Sequence, residues 1–136
     1  IYLGASIYGL SRKEVDEIYP KVVAFSELDS FMDTSIKNYS SGMQARLGFA
    51  LAVNLDPDIL LVDEILAVGD EAFQRKCMAR MEQFRSAGKT IVFVSHSPED
   101  VRKICDRACV LDFGSMVFLG KTDEAIDRYH MLLGAA

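Results

Sequence analysis

The sequence predicts an α/β fold, and two observations support this prediction. The first is a pair of short apolar runs, Ile59 to Val62 and Thr90 to Ser95, which are typical of strands. The second is the order of the segments, because each run is followed by a stretch whose apolar residues have helical spacing. At 136 residues, 50% of them hydrophobic, the chain can bury one core. We expect a mainly parallel sheet with flanking helices and a small helical section in front.

The segment before the first strand is predicted to be mostly helical. Ser11 can cap a short helix, and Pro20 can start a second one because proline suits the first helical position. Residues 29–38 are expected to form a loop with one helical turn. From Ser41, apolar residues at helical spacing continue until Pro57, which predicts a further helix. The chain begins with apolar residues and no start methionine, so we expect a piece of something longer.

The second half alternates helices and strands. A helix is expected to open at Asp70 and to bury one apolar face made of Phe73, Cys77, Met81 and Phe84. The continuous apolar run from Thr90 is expected to be covered on both faces. A helix from Pro98, a hairpin around Gly114 and a last helix capped by Thr122 complete the prediction.

Charge and composition exclude several classes of function. The net charge is −5 and no basic run exists, which argues against nucleic acid as a partner. No apolar segment is long enough to span a bilayer, and the first residues do not form a signal peptide. The three cysteines, Cys77, Cys105 and Cys109, lack zinc-ligand spacing, so we expect buried thiols in a reducing compartment.

Three polar groups stand where α/β proteins bind ligands. Asp63 and Glu64 end the first strand, where carboxylates can hold magnesium and activate water. Residues 40–42, Ser-Ser-Gly, open a helix, whose positive end favours phosphate. His96 follows the second strand and can contact a phosphate. Each group also has a structural alternative, namely a solvated loop start, a helix N-cap and an ordinary loop histidine.

A short segment imitates a phosphate-binding loop. Gly88, Lys89 and Thr90 match the end of such a loop, but the glycine needed five residues before Gly88 is replaced by Gln83. The segment also lies between a helix and a strand, whereas a phosphate loop runs from strand to helix. We therefore predict that Lys89 is a loop lysine.

Taken together and in this order, these elements resemble the ATP-binding subunit of ABC transporters. Tyr39 to Met43 resembles the signature motif, Ile59 to Glu64 the Walker B strand, Ala67 to Asp70 the D-loop, and His96 the switch histidine. The residues of these motifs, together with Cys105-Asp106-Arg107, are similar to those of bacterial exporters of O-antigen, capsule and teichoic acid. The resemblance therefore implies part of a P-loop NTPase fold, the ABC ATPase domain.

The resemblance also implies roles for individual residues. Ser40, Ser41 and Gly42 would bind the γ-phosphate of an ATP held by the partner subunit, and Asp63 would hold Mg²⁺ through water. Glu64 would act as the general base, His96 would steady the γ-phosphate, and Asp70 would couple the two sites. Arg46 is expected to brace the signature helix by pairing with a carboxylate, the alternative being an ordinary surface arginine.

Partners and location follow from the same resemblance. It implies a head-to-tail homodimer that closes on ATP, at the cytoplasmic face of the bacterial inner membrane. This dimer would drive a membrane-spanning permease that carries a lipid-linked polysaccharide, without inserting into the membrane itself. Residues 1–56 would be the end of the helical signature subdomain, and residues 57–136 the Walker B and H-loop half of the core.

The chain departs from the family pattern at several positions. Ser41 stands where the family has glycine, Met43 where it has glutamine, and Ile65 where most members have proline. The Walker A loop, the adenine-stacking aromatic and the Q-loop glutamine are not in this sequence. We therefore expect the chain alone to be inactive as an ATPase. Two alternatives are a non-transport ABC-type ATPase and a half-domain that donates its signature face to an intact ATPase.

Overall fold

The computed structural model describes residues 1–63 and 70–134. Six helices and four strands are seen in these residues. The helices are α1 (Tyr2–Ile7), α2 (Arg12–Ser26), α3 (Ser41–Asn54), α4 (Glu71–Ser86), α5 (Pro98–Ile104) and α6 (Thr122–Gly134). The strands are β1 (Ile59–Asp63), β2 (Thr90–Val94), β3 (Arg107–Asp112) and β4 (Ser115–Lys121). Their order confirms the α/β prediction.

The chain divides into two compact units, which we describe separately. Of the described residues, the first unit contains 1–60 and 70–90, and the second contains 61–63 and 91–134. The first unit therefore carries α1 to α4, and the second carries most of β2 together with α5, β3, β4 and α6.

Helix α2 is one continuous helix, which corrects the prediction that Pro20 starts a second one. Ser11 caps it through a capping box, accepting from the backbone N–H of Glu14 while the Glu14 carboxylate accepts from the backbone N–H of Ser11. Pro20 lies inside the helix and removes one backbone donor. The helix continues because Val15 and Val22 on its inner face are almost completely buried.

Helix α3 packs against α2 in the core of the first unit. The buried residues of this core are Ala5, Val15, Val22, Leu28, Tyr39, Leu47, Ala50 and Leu51. Helix α3 ends at Asn54, before Pro57, as predicted. The segment between α2 and α3 contains two short 3₁₀ turns, Asp29–Phe31 and Ile36–Asn38, where a loop with one turn was expected.

Helix α4 buries the four predicted residues Phe73, Cys77, Met81 and Phe84. Its C-terminus is closed by Gly88 at φ +77, a conformation that glycine adopts without strain. Lys89 then bonds the Asp56 carboxylate at 2.8 Å and lies 5.7 Å from the centre of the Phe84 ring. The prediction that Lys89 is a loop lysine rather than a phosphate ligand agrees with this structural role.

Strands β1 and β2 are hydrogen-bonded neighbours in a parallel sheet. The backbone N–H of Thr90, which starts β2, donates to the carbonyl of Asp58, just before β1, so the two starts lie side by side. The prediction that the strand from Thr90 is covered on both faces is wrong for this chain. Leu60 and Val62 are buried, but Leu61 is 73% and Val92 49% exposed. Successive side chains point to opposite faces, and the described residues cover only one of them.

The second unit contains the predicted hairpin. Strand β3 pairs antiparallel with β4 from Arg107 opposite Lys121 to Asp112 opposite Ser115. Helix α5 begins at Pro98 after its N-cap Ser97, and α6 follows β4 directly. The hydroxyl of Thr122 at the start of α6 donates to the carbonyl of Cys105, which ties α6 to the end of α5.

The hairpin turn allows a prediction about stability. Phe113 and Gly114 form a two-residue loop with φ values of 44 and 80, the pattern of a type I′ turn. Phe113 is fully exposed, and its left-handed backbone is costly for a bulky residue. Phe113→Asn is expected to raise the free energy of unfolding by about 0.5–1 kcal/mol, measured by urea denaturation. Phe113→Ala is the control, and an equal gain from alanine would contradict the backbone explanation.

The three cysteines differ in exposure. Cys77 is buried and Cys105 partly buried, but Cys109 is exposed, which corrects the expectation of three buried thiols. Burial raises the pKa of the Cys77 thiol to about 12, so almost no thiolate forms at neutral pH. We expect iodoacetamide to alkylate Cys109 in the folded chain and Cys77 only in denaturant, as followed by mass spectrometry. Equal rates for the two cysteines in the folded chain would contradict this burial.

Candidate functional site

The first turn of α3 presents the predicted phosphate ligands. Ser40 has an extended backbone and caps the helix, its hydroxyl oxygen accepting from the N–H of Met43 at 3.2 Å. Ser40 and Ser41 are exposed and Gly42 is half-buried. The Ser40 hydroxyl keeps its proton as a donor while its oxygen caps the helix. The cap and the phosphate-binding interpretation are therefore compatible at this serine.

The residue before the cap is anchored in the core. Tyr39 is buried, and its hydroxyl donates to the carbonyl of Phe31 at 2.7 Å. The side-chain amide of Gln44 donates to the carbonyl of Tyr39 at 3.3 Å. These two bonds connect the backbone before Ser40 to the Phe31 carbonyl and to the Gln44 side chain of α3, and so hold the segment that carries the exposed hydroxyl.

Asp70 lies at the start of α4 and has two partners. Its Oδ1 accepts from the backbone N–H of Phe73 at 2.9 Å, and its Oδ2 accepts from Arg46 at 2.7 Å. The helix-end N–H group and the Arg46 guanidinium lower the pKa of the Asp70 carboxyl group. The prediction that Arg46 pairs with a carboxylate is confirmed, and Glu27 is its second carboxylate partner at 3.3 Å.

Asp63 and His96 lie at the same edge of the parallel sheet. Asp63 is the last residue of β1, and His96 follows the last residue of the neighbouring β2 by two positions. Both are exposed. Because parallel strands end at the same edge, the carboxylate and the imidazole stand at the place where open α/β sheets bind ligands.

His96 also borders a separate apolar groove in the second unit. This groove has a volume of about 460 Å³ and lies between β2, β3, α5 and α6. Its walls are mainly aliphatic, including Val94, Val110 and Ile126, and Asp63 is not among them. The groove is thus distinct from the carboxylate edge of the sheet.

Glu64, the predicted general base, lies outside the described residues, as do Ile65 and residues 67–69 of the predicted D-loop. Among the residues that are described, no cluster of three or more His, Cys, Asp or Glu side chains could hold a metal ion.

Two charged residues near α3 were not found by sequence reasoning. Glu27 accepts from both Arg46 and Lys76, and Lys76 also donates to the carbonyls of Ala24 and Phe25. Glu27 stands 49 residues before Lys76, and no local pattern connects them. The sequence gives one indication of this contact. Glu27 directly follows the predicted helical segment, and a basic side chain is favourable near the C-terminal end of a helix.

Comparisons with known proteins give consistent matches. The chain is 46% identical over 129 residues to the O-antigen export system ATP-binding protein RfbB of Klebsiella pneumoniae, covering 95% of this chain and 52% of that protein. It is 45% identical over 133 residues to the ABC transporter protein AbcA of Aeromonas salmonicida, covering 98% and 43%. It is 42% identical over 129 residues to the teichoic acids export ATP-binding protein TagH of Lactiplantibacillus plantarum, covering 95% and 36%. The chain thus spans about half or less of these relatives.

Solved structures show the same fold. An ATP-binding subunit of an ABC transporter superposes with a TM-score of 0.80 at 22% identity, covering 96% of this chain and 54% of that one. An ATP-binding cassette, solved as a dimer bound to ADP and Pi in a post-hydrolysis state, gives 0.69 at 25% identity, covering 83% and 49%. No family model matches the chain. The fold is that of the ABC ATPase domain, a P-loop NTPase.

Proposed function

We propose that this chain, a homologue of ABC transporter ATP-binding proteins over 95% of its length, is part of the ATP-hydrolysing subunit of a polysaccharide exporter. The observation that carries this proposal is the 46% identity with an O-antigen export ATP-binding protein. Residues 1–56 would belong to the helical signature subdomain and residues 57–136 to the Walker B and H-loop half. The substrate would be a lipid-linked cell-surface polysaccharide such as O-antigen or teichoic acid.

The start of α3 fits a nucleotide phosphate. Ser40 offers an exposed hydroxyl, and the first N–H groups of the helix add a partial positive charge. Gly42 has no side chain that would keep a phosphate from the backbone. In the proposal, Ser40, Ser41 and Gly42 hold the γ-phosphate of ATP bound mainly by the other subunit. ATP supplies the phosphoryl group whose transfer to water drives transport.

The edge of the sheet fits the hydrolytic half of the site. Mg²⁺ is commonly held by one or two carboxylates together with water and phosphate oxygens, so one exposed carboxylate, Asp63, suits it. Asp63 would hold the ion through water. Glu64 would orient the attacking water and accept its proton, and His96 would donate a hydrogen bond to the γ-phosphate.

The proposed assembly is a head-to-tail homodimer that acts on a membrane-spanning permease at the cytoplasmic face of the inner membrane. A similar ATP-binding cassette has been solved as a dimer, which supports the homodimer. In the described part of the chain, no helix combines the length and the hydropathy needed to cross a membrane. In the proposal, the separate permease carries the substrate and this subunit binds it peripherally.

A chimera provides the test. We define the export chimera as the Klebsiella RfbB protein in which the matched segment is replaced by the corresponding residues of this chain. We expect Mg²⁺-dependent ATP hydrolysis by the chimera and none by the 136-residue chain alone. The chimera should also restore O-antigen at the surface of a strain that lacks RfbB. Hydrolysis without restored export would favour a non-transport ATPase, and a folded chimera without hydrolysis would contradict the proposal.

A further inference from the structure

Four charged side chains join three helices of the first unit. Lys76 Nζ donates to Glu27 Oε1 at 2.9 Å, and Glu27 Oε2 accepts from Arg46 Nη1 at 3.3 Å. Arg46 Nη2 in turn donates to Asp70 Oδ2 at 2.7 Å. We name this continuous chain of ion pairs the charged clasp. It connects the C-terminal end of α2, the second turn of α3 and the N-terminal end of α4.

Both ends of the charged clasp match the polarity of the helix that they meet. Asp70 is a carboxylate at the positive end of α4, where it accepts from the Phe73 N–H. Lys76 is a cation at the negative end of α2, where it donates to the carbonyls of Ala24 and Phe25 at 3.2 and 2.9 Å. The clasp thus uses backbone groups that helix ends leave unsatisfied.

Arg46 is the centre of the charged clasp and is held from three sides. Its guanidinium lies 4.5 Å from the centre of the buried Phe73 ring, between Glu27 and Asp70. Its side chain is only 17% exposed, whereas the carboxylate side chains of Glu27 and Asp70 are 48% and 65% exposed, so the pairs are shielded from water on the arginine side only. A planar guanidinium with two carboxylate partners and a ring beneath it can hold one orientation.

The position of Arg46 links the charged clasp to the first turn of α3. Arg46 lies four residues after Gly42 on the same helix, and a helix turn is rigid at this distance. Restraining Arg46 therefore restrains the turn that carries Gly42 and, through the bond between Met43 N–H and the Ser40 hydroxyl oxygen, Ser40 as well. Each carboxylate oxygen of Asp70 accepts a hydrogen bond, Oδ1 from the backbone N–H of Phe73 and Oδ2 from Arg46.

We infer that the charged clasp sets the orientation of the first turn of α3, and that Asp70 acts on ATP turnover through Arg46 as a positioning residue. The effect on turnover rests on the proposed function, whereas the effect on α3 does not. The two can therefore be tested separately, first on this chain and then on the export chimera.

The first test is amide hydrogen exchange on the 136-residue chain. Asp70→Asn keeps an oxygen that can cap α4 but removes the charge facing Arg46. We expect exchange at the Met43 and Gln44 amides to become about twofold to fivefold faster. Glu71→Gln is the matched control, because it makes the same chemical change at a neighbouring carboxylate that pairs with Arg75 on the exposed side of α4. It should leave these two amides unchanged.

A double variant tests whether Asp70 acts through Arg46. If it does, Arg46→Gln with Asp70→Asn should accelerate exchange no more than Arg46→Gln alone. Additive effects of the two substitutions would overturn the inference. Unchanged exchange in Asp70→Asn would overturn it as well, whatever the nucleotide measurements show.

The second test is steady-state kinetics of the export chimera. Asp70→Asn and Arg46→Gln should each lower kcat/KM for ATP by about twofold to tenfold, and the double variant should lower it no further. Glu71→Gln should leave it unchanged. Faster exchange with an unchanged kcat/KM would overturn the link to turnover while leaving the proposed function intact. If the unsubstituted chimera does not hydrolyse ATP, the proposed function fails, and the exchange data still decide the orientation of α3.

Discussion

Replacing Glu64 by glutamine is expected to lower the kcat of the export chimera for ATP by about 10²- to 10⁴-fold, the usual contribution of a general base. Glutamine has nearly the shape of glutamate and can still bond a water molecule, but its amide cannot accept the proton of the attacking water. Binding of ATP and closure of the dimer should therefore survive. We expect the Glu64→Gln chimera to be isolated as an ATP-bound dimer by size-exclusion chromatography in the presence of Mg²⁺.

The control is Glu82→Gln, which makes the same chemical change at an exposed position on α4. This variant should hydrolyse ATP like the unsubstituted chimera and should not accumulate as a dimer. A Glu64→Gln chimera that turns over ATP at the normal rate would remove Glu64 from the general-base role. The remaining candidates at the strand edge, Asp63 and His96, would then have to be tested in its place.

The second large effect concerns stability. Met81 is completely buried in the apolar face of α4, and Met81→Ala leaves a cavity that the helix cannot close without moving its neighbours. We expect the free energy of unfolding of this chain to fall by about 2–5 kcal/mol, measured by urea denaturation followed by circular dichroism.

A second methionine provides the matched control for this measurement. Met131 is 64% exposed on α6, so Met131→Ala should change the free energy of unfolding by less than about 0.5 kcal/mol. Similar losses at Met81 and Met131 would mean that α4 does not pack as described. A loss at Met81 alone supports the packing of this face.

Local patterns predicted most of the helices and strands. The capping residue Ser11, the glycine at 114 and the apolar spacing of α4 each act over a few residues, so they can be read without knowing the fold. The prediction for Pro20 was wrong because proline is favourable at a helix start but can also occur inside a helix, at a cost in stability. Burial of the surrounding valines decided between these options, and this is a tertiary effect.

The exposure of the strands could not be read in the same way. A continuous apolar run such as Ile59 to Val62 indicates that both faces of a strand can pack against apolar surface. It does not indicate whether such a surface covers them. The same limit applied to Cys109, whose apolar neighbours in sequence do not enclose it in space.

The candidate site was predictable in part. The cap at Ser40 and the strand-end position of Asp63 follow from residue type and position, and both are found. That Arg46 pairs with a carboxylate was also predicted, but its partners were not. Glu27 is 19 and Asp70 24 residues away from Arg46, and acidic residues are too common for such distances to identify a pair. The catalytic and phosphate-binding roles themselves remain predictions.

Leu61 and Val92 are exposed in this chain, so selection for solubility and selection for export are expected to favour different residues at these two positions. Selecting this chain for soluble expression would enrich charged residues there, since they meet water. Selecting the export chimera for surface O-antigen should retain aliphatic residues if, as proposed, the rest of the subunit packs against them. Two mutational libraries scored in these two ways should therefore rank the same substitutions in reverse order.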